Sequence, residues 1–269
     1  MSSGARDAAG VTHEPAGADA RIVSLVPSIT ETLFALGLER QIVGRTGFCV
    51  HPRDKARAVR KVGGTKAVKL DTIRALRPTH LIVNIDENER ETVEQLRTFV
   101  PHIVVTHPRT PRDNLALYAL LGAIFGRERE ARRLSDALEA RLREAAASSF
   151  AAQHVLYLIW REPWMTVARD TYIAAMLQLV SWHTLPDTQG GLAGAARYPV
   201  VDFDDAPWLA QVDRILLSSE PYRFTSAHRD ALARDPRLMG KRIALIDGEM
   251  TSWYGVRAID GIGYLLDCA

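Results

Sequence analysis

Two cysteines in 269 residues, Cys49 and Cys268, are too few and too far apart for a disulfide framework or a zinc knuckle. Both read as small buried apolar residues. No stretch reaches the roughly 18 consecutive apolar residues of a membrane span, and the best candidate, Asn114 to Phe125, is too short. An excess of one charge is also missing. The 34 basic and 32 acidic side chains are spread along the chain, with no basic block to neutralise a run of phosphates, so nucleic acid is not an expected partner. Catalytic signatures are absent too: GxSxG, GxxxxGK[ST], GxGxxG and HExxH do not occur. The Gly63-Gly64-Thr65 turn lacks the lysine-serine context of a phosphate loop, and the eight histidines are scattered, so no metal site is expected. His51, His80, His102 and His107 read as polar loop or strand-end residues. Adjacent carboxylates such as Asp86-Glu87 suit general acid-base work but more often grip ligand or water, and the chain is not expected to be an enzyme.

The first twenty residues, MSSGARDAAGVTHEPAGADA, have no apolar core of a secretory signal and no periodic face. They are expected to be a flexible tail outside the fold. Beyond them, 47% hydrophobic and 25% charged residues are ordinary for a packed globular chain.

From Arg21 the pattern is β then α. Ile22 to Val26 is a short apolar strand, and Ser28 to Glu31 matches a capping box opening a helix that ends at Gly37. A helix is expected at 71–76, a strand at 79–84, a helix at 89–99 and a strand at 102–106. Between 112 and 147, leucines recur among Arg, Glu and Ala with few breakers, which predicts one long helix. Alternation then resumes with strands at 155–159, 165–168, 215–218 and 243–246. Helices are expected near 171–180, 203–210, 227–233 and 256–266. The segment LDTIRALRPTHLIVN (70–84) resembles FDDAPWLAQVDRILLS (203–218). The fold class is therefore α/β, two related lobes with parallel-type sheets joined by a single long helix. The expected divisions are a tail at 1–20, a first lobe at 21–110, the connecting helix at 111–149 and a second lobe at 150–269.

Open α/β sheets place ligands beyond the carboxyl ends of their strands. Polar and aromatic residues gather there: Asp86, Glu87 and Asn88; Trp160 and Trp164; Glu220 and Tyr222; Trp253 and Tyr254. Aromatic rings at such loops suit a large flat or apolar ligand. Trp182 and Trp208, on or after helices, read as packing residues.

IVSLVPSITETLFALG, TGFCVHP, VGGTKAVKLDTIRALRPTHLIV, DTYIAAML and SWYGVRAIDGIGYL, in that order and spacing, resemble the class III, helical-backbone periplasmic binding proteins of bacterial ABC transporters. Within them they are most similar to the cobalamin-binding branch. The resemblance runs from about Arg21 to Leu266. It implies a ligand cleft between the lobes, with Phe48 as the aromatic of the first lobe and Trp164, Trp253, Tyr254 and Arg257 as a wall of the second. It also implies that Asp71 and Asp204, at two helix starts, dock onto the membrane permease, although the family usually carries Glu there. Thr65 and Ile85 stand where the cobalamin binders carry tryptophan. The expectation is a monomer with no intrinsic cofactor that captures cobalamin or a related corrinoid for an ABC transporter. The alternatives are a haem or ferric-siderophore binder, for which Tyr222, Tyr254 and Arg257 are candidates, and a cytosolic corrinoid-handling protein or enzyme. Location is periplasmic by the resemblance. The beginning of the chain, read as it stands, carries no export address, so either the start is trimmed or this is a leaderless, cytoplasmic relative.

Overall fold

The computed structural model describes residues 5–269. The chain forms two compact units: one of residues 1–108, 112–139 and 254–257, the other of 109–111, 140–253 and 258–269.

The first unit is built on a five-stranded sheet in the order β5-β4-β3-β6-β7, every pair parallel: β3 (Ile22–Ser24), β4 (Ile42–Arg45), β5 (Arg60–Lys61), β6 (His80–Asn84) and β7 (His102–Thr106). Parallel pairing requires crossovers, supplied by α1 (Pro27–Ala35), α2 (Arg53–Ala58), α3 (Leu70–Ala75) and α4 (Arg90–Arg97). The interior strand β6 is buried at every position, as a strand covered on both faces should be. Val23, Leu25, Leu81, Val83 and Ile103 pack there against Ile73, Val93 and Leu96 of the helices.

The second unit has a four-stranded sheet in the order β11-β10-β8-β9, again all parallel, from β8 (Gln153–Leu158), β9 (Trp182–Thr184), β10 (Arg214–Ser218) and β11 (Arg242–Ile246). Its core joins Leu156, Leu158, Ile215 and Leu217 to Phe203, Leu209 and Phe224. The helices here are α7 (Tyr172–Gln178), α8 (Ser226–Leu232), α9 (Gly248–Ser252) and α10 (Arg257–Cys268). Trp182 is buried in β9 under the Arg214 guanidinium, and Trp208 packs against the core.

Five expectations need correction. First, the stretch expected as one long helix is two, α5 (Asp113–Phe125) and α6 (Glu128–Ala147). Gly126 takes a left-handed φ of 63° and ends α5, a conformation glycine adopts without a Cβ clash. The division between the units falls inside α6, after Glu139. Second, residues 165–168 are not a strand: Met165 makes only isolated bridges to Trp160 and Val200. Third, Ser28 does not cap α1. Pro27 already occupies its first turn, Val26 is the N-cap, and no side chain caps that end. Fourth, Cys49 is buried but Cys268 is exposed.

The fifth concerns the amino-terminal tail. Residues 1–4 lie outside the described residues, but 5–20 are packed onto the first unit. β1 (Ala5–Arg6) and β2 (Thr12–His13) form a small antiparallel hairpin, and Ala8 N–H donates to Val105 O on the edge strand β7. One buried carboxylate organises the segment. Asp7 Oδ1 accepts from the Ala9 and Val11 amides at 2.9 Å each, while Oδ2 lies 2.9 Å from His13 Nε2 and accepts from the Val105 amide at 3.0 Å. The segment has no apolar periodicity because backbone groups and one side chain hold it. Behind it, His80 stacks on His102 with ring centroids 4.7 Å apart and meets the edge of Phe125. Burial first, then the nearby His102 and His13, press the His80 pKa down from 6.5 to about 4.

Two outcomes are expected. Asp7→Ala leaves several buried donors without an acceptor and should lower the unfolding free energy by about 2–3 kcal/mol, measured by urea denaturation at pH 7. His80 is neutral in the folded chain over a range where the unfolded chain binds a proton there. Stability should therefore fall as pH drops from 6.5 towards 4, by about 2 kcal/mol after allowance for the ring's partial exposure. His80→Gln should flatten that part of the stability profile, and an unchanged slope would show that His80 does not cause it.

Candidate functional site

Because every strand in each sheet runs the same way, the loops that follow the strands emerge at one end of each unit. In the first unit these loops bring together Phe48 after β4 and Ile85 to Asn88 after β6, and the segment Tyr254–Arg257 joins the same unit. Phe48 is 63% exposed and rests on Gly64. The chain turns after β6 through its own side chains. Asn84 Oδ1 accepts from the Asp86 amide, Asn88 Oδ1 accepts from the Asn84 amide, and Asn88 Nδ2 donates to Thr65 O at 2.9 Å. Asn88 is thus a brace of this loop. Asp86 Oδ2 lies 3.3 Å from His107 Nε2 at the end of β7.

Tyr254 and Arg257 were expected on the second lobe, but they pack with the first unit. Gly255 is the anchor: its amide donates to Asn114 Oδ1 at 2.6 Å and its carbonyl accepts from the Tyr118 hydroxyl at 2.8 Å, while the Val256 amide donates to Thr32 Oγ1. Gly255 has φ 72°, and any Cβ there would strike Thr32, so no other residue fits. Tyr254 donates its hydroxyl to Glu87 Oε1 at 2.6 Å, and burial together with that carboxylate holds the phenol well above its ordinary pKa. Arg257 grips Glu31 with two nitrogens, Nε at 3.0 Å and Nη2 at 2.6 Å, the forked geometry that makes such pairs strong.

In the second unit, Trp160, 41% exposed, sets its ring edge against Tyr222. Tyr222 in turn touches Phe224 and His228, with its hydroxyl 3.2 Å from His228 Nε2. Trp164 stacks between Phe203 and Phe224 at 5.5 and 6.0 Å and belongs to the core as much as to the surface. Glu220 Oε1 accepts from the Trp253 indole N–H and from the Ser252 hydroxyl, both at 2.7 Å. Burial raises the Glu220 pKa against the pull of those two donors. Trp253 itself is only 8% exposed. Sequence reasoning saw the aromatic residues but missed Glu31, Thr32, Asn114 and Tyr118, whose partners lie more than a hundred positions away and leave no local signal.

Of the two aspartates expected at helix starts, Asp71 is exposed in the first turn of α3. Asp204 is not at a helix start. Its amide donates to Asp202 Oδ1, the chain makes a 3-10 turn only at Pro207–Gln211, and its carboxylate pairs with Arg237 at 2.7 Å. Among the described residues, no group of three or more His, Cys, Asp or Glu side chains is placed to hold a metal, and no helix is long and apolar enough to cross a membrane.

The sequence profile described as periplasmic binding protein matches residues 22–240. The chain belongs to the periplasmic binding protein family. That is a family of solute-binding proteins and not of enzymes. The vitamin B12-binding proteins of Photorhabdus laumondii and Pectobacterium atrosepticum are each 28% identical, over 99 and 93 residues. Those matches cover 37% and 35% of this chain and 36% and 33% of the relatives, so the chain aligns with about a third of their length. Among solved structures, a periplasmic haem-binding protein of Roseiflexus superposes with a TM-score of 0.75 at 22% identity, covering 91% of this chain and 95% of that one. The vitamin B12-binding protein BtuF of Vibrio cholerae gives 0.72 at 17%, covering 92% and 95%. A haem-binding protein of Pseudomonas aeruginosa gives 0.76 at 21%, covering 92% and 91%. At such identities the likeness establishes the two-lobed α/β fold of this binding protein.

Glu220→Ala should lower the unfolding free energy by about 1–3 kcal/mol, because it strands the buried indole N–H of Trp253. Glu220→Gln keeps an acceptor and should lose less. Equal losses for the two variants, read from urea unfolding followed by tryptophan fluorescence, would show that the Trp253 bond contributes nothing.

Proposed function

We propose that the protein captures cobalamin or a related corrinoid and hands it to the membrane permease of an ABC transporter. The observation that favours this over haem is the state of the two strand-end tyrosines. Haem iron takes an axial tyrosine oxygen or histidine nitrogen from its protein. Here the Tyr254 ring is 6% exposed with its hydroxyl given to Glu87, and the Tyr222 hydroxyl is held against His228 within an aromatic group. A corrinoid arrives with its cobalt already ligated by the macrocycle and presents a broad face and amide rim. It needs rings to rest on and a few polar contacts. Phe48 of the first unit, 63% exposed, and Trp160 of the second, 41% exposed, are each aromatic side chains open enough to offer such a contact within their own unit. The partial likeness to vitamin B12-binding proteins supports the same reading.

On this reading Asp86, Glu87 and Asn88 shape the first unit's loop, and Glu31 with Arg257 fixes the segment that carries Tyr254. Glu220, Trp164, Tyr222 and Trp253 hold the shape of the second unit's loops and leave direct contact to Trp160. Asp71 is the stronger of the two proposed permease contacts, since a permease arginine would meet Asp204 already paired with Arg237. The protein works as a monomer in the periplasm; the alternative is a cytosolic corrinoid-handling role.

Cyanocobalamin added to the protein in a calorimeter should bind at a single site. Phe48→Ala and Trp160→Ala should each weaken it by about tenfold, the loss of one aromatic contact. Haemin, followed by its absorption band, should bind more weakly and without a tyrosinate signature. Tight haemin binding with no heat from cyanocobalamin would overturn the proposal in favour of haem.

A further inference from the structure

The chain's net charge of +2 conceals a local imbalance on the first unit. Between residues 53 and 71 the chain carries Arg53, Lys55, Arg57, Arg60, Lys61, Lys66 and Lys69 against Asp54 and Asp71, seven positive side chains to two negative, an excess of five. All seven are exposed. They occupy α2, the strand β5 and the turn before α3, and β5 is the edge of its sheet. Lys55 pairs with Glu39 at 3.0 Å across the surface. The chain therefore places these charges in succession on α2, the edge strand β5 and the following turn, with two acidic residues among them.

Exposed like charges repel, and an exposed pair such as Lys55 with Glu39 offsets little of that. The arrangement fits a surface that supplies negative charge from outside. Val50, 42% exposed, lies just before the cluster, which joins an apolar foothold to the basic edge, the pairing seen in segments that rest on lipid headgroups. Nothing in the stretch offers the aromatic ladder on which single-stranded nucleic acid stacks.

We propose that the edge formed by α2, β5 and the following turn is a docking surface for anionic phospholipid headgroups, holding the protein against the membrane where its permease resides. The proposal extends the function proposed above but stands on separate residues. Its test is sedimentation of the whole chain with vesicles of phosphatidylcholine containing about 30% phosphatidylglycerol, against vesicles of phosphatidylcholine alone, in low and moderate salt. Binding is expected to the anionic vesicles only, and to weaken as salt rises.

The combined variant Arg53→Glu, Arg57→Glu and Lys61→Glu should reduce vesicle binding at least tenfold while the circular dichroism spectrum and cyanocobalamin binding stay unchanged. Arg132→Glu, Arg133→Glu and Arg223→Glu change the net charge equally at exposed positions elsewhere and should reduce it far less. If the reversals disturb folding, the matching glutamine substitutions serve, with a smaller but same-sided loss expected. No binding to anionic vesicles, equal losses for the two sets, or duplex DNA competing fully at the same ionic strength would each overturn the proposal. Vesicle binding without cyanocobalamin binding would instead refute the corrinoid reading and leave this one standing.

Discussion

Parallel pairing throughout the five-stranded and the four-stranded sheet is the constraint from which the rest of each unit follows. A parallel strand cannot be reached by a tight turn, so each connection crosses the sheet, and the loops after the strands all leave from the same end. The interiors of the sheets must then be covered on both faces, as β6 is throughout. Polar chemistry is thereby pushed to the loops, where Asn84, Asp86 and Asn88 of the first unit, and Ser218, Glu220 and Ser252 of the second, bond to one another or to loop backbone. These are the positions at which a binding protein can vary its ligand without disturbing its core.

The same constraint decided what could be read from the sequence. The strands at 80–84 and 102–106 each hold three apolar residues in a row, Leu81 to Val83 and Ile103 to Val105, enough to be recognised, and their pairing register starts at His80 with His102. Two of the missed strands, Arg60–Lys61 and Trp182–Thr184, are only two and three residues long and are set by their neighbours, not by their own pattern. The amino-terminal segment was misread because alanine and glycine composition suggested no packing. Its stability comes from Asp7, a single carboxylate whose four partners no periodicity reveals. At Gly126 the leucine pattern ran on through a break, since α5 and α6 both need apolar faces. The close approach of Gly122 to Ala131, where a Cβ would come within 2.7 Å, shows how tightly the two helices turn on each other.

The candidate site was legible in residue type and less so in role. Tryptophan and tyrosine at strand ends were singled out as walls for a ligand, yet Trp253 and Tyr254 are largely buried, each with its polar atom tied to a glutamate. An aromatic residue that carries a donor is costly to bury without an acceptor. Such residues therefore bring carboxylates with them, and the acidic residues at 87 and 220 that looked like ligand grips serve as those acceptors. Phe48 has no polar atom to satisfy and lies open in its loop.

This division bears on how selectivity arises if the ligand is a corrinoid. Glu31 and Arg257 neutralise each other, and Glu87 and Glu220 accept from neutral donors. These four groups are thus engaged within the protein itself. A ligand carboxylate that sought the Arg257 guanidinium would have to break that pair, at the cost of leaving a half-buried Glu31 without its partner. A macrocycle ringed with neutral amides makes no such demand on that pair.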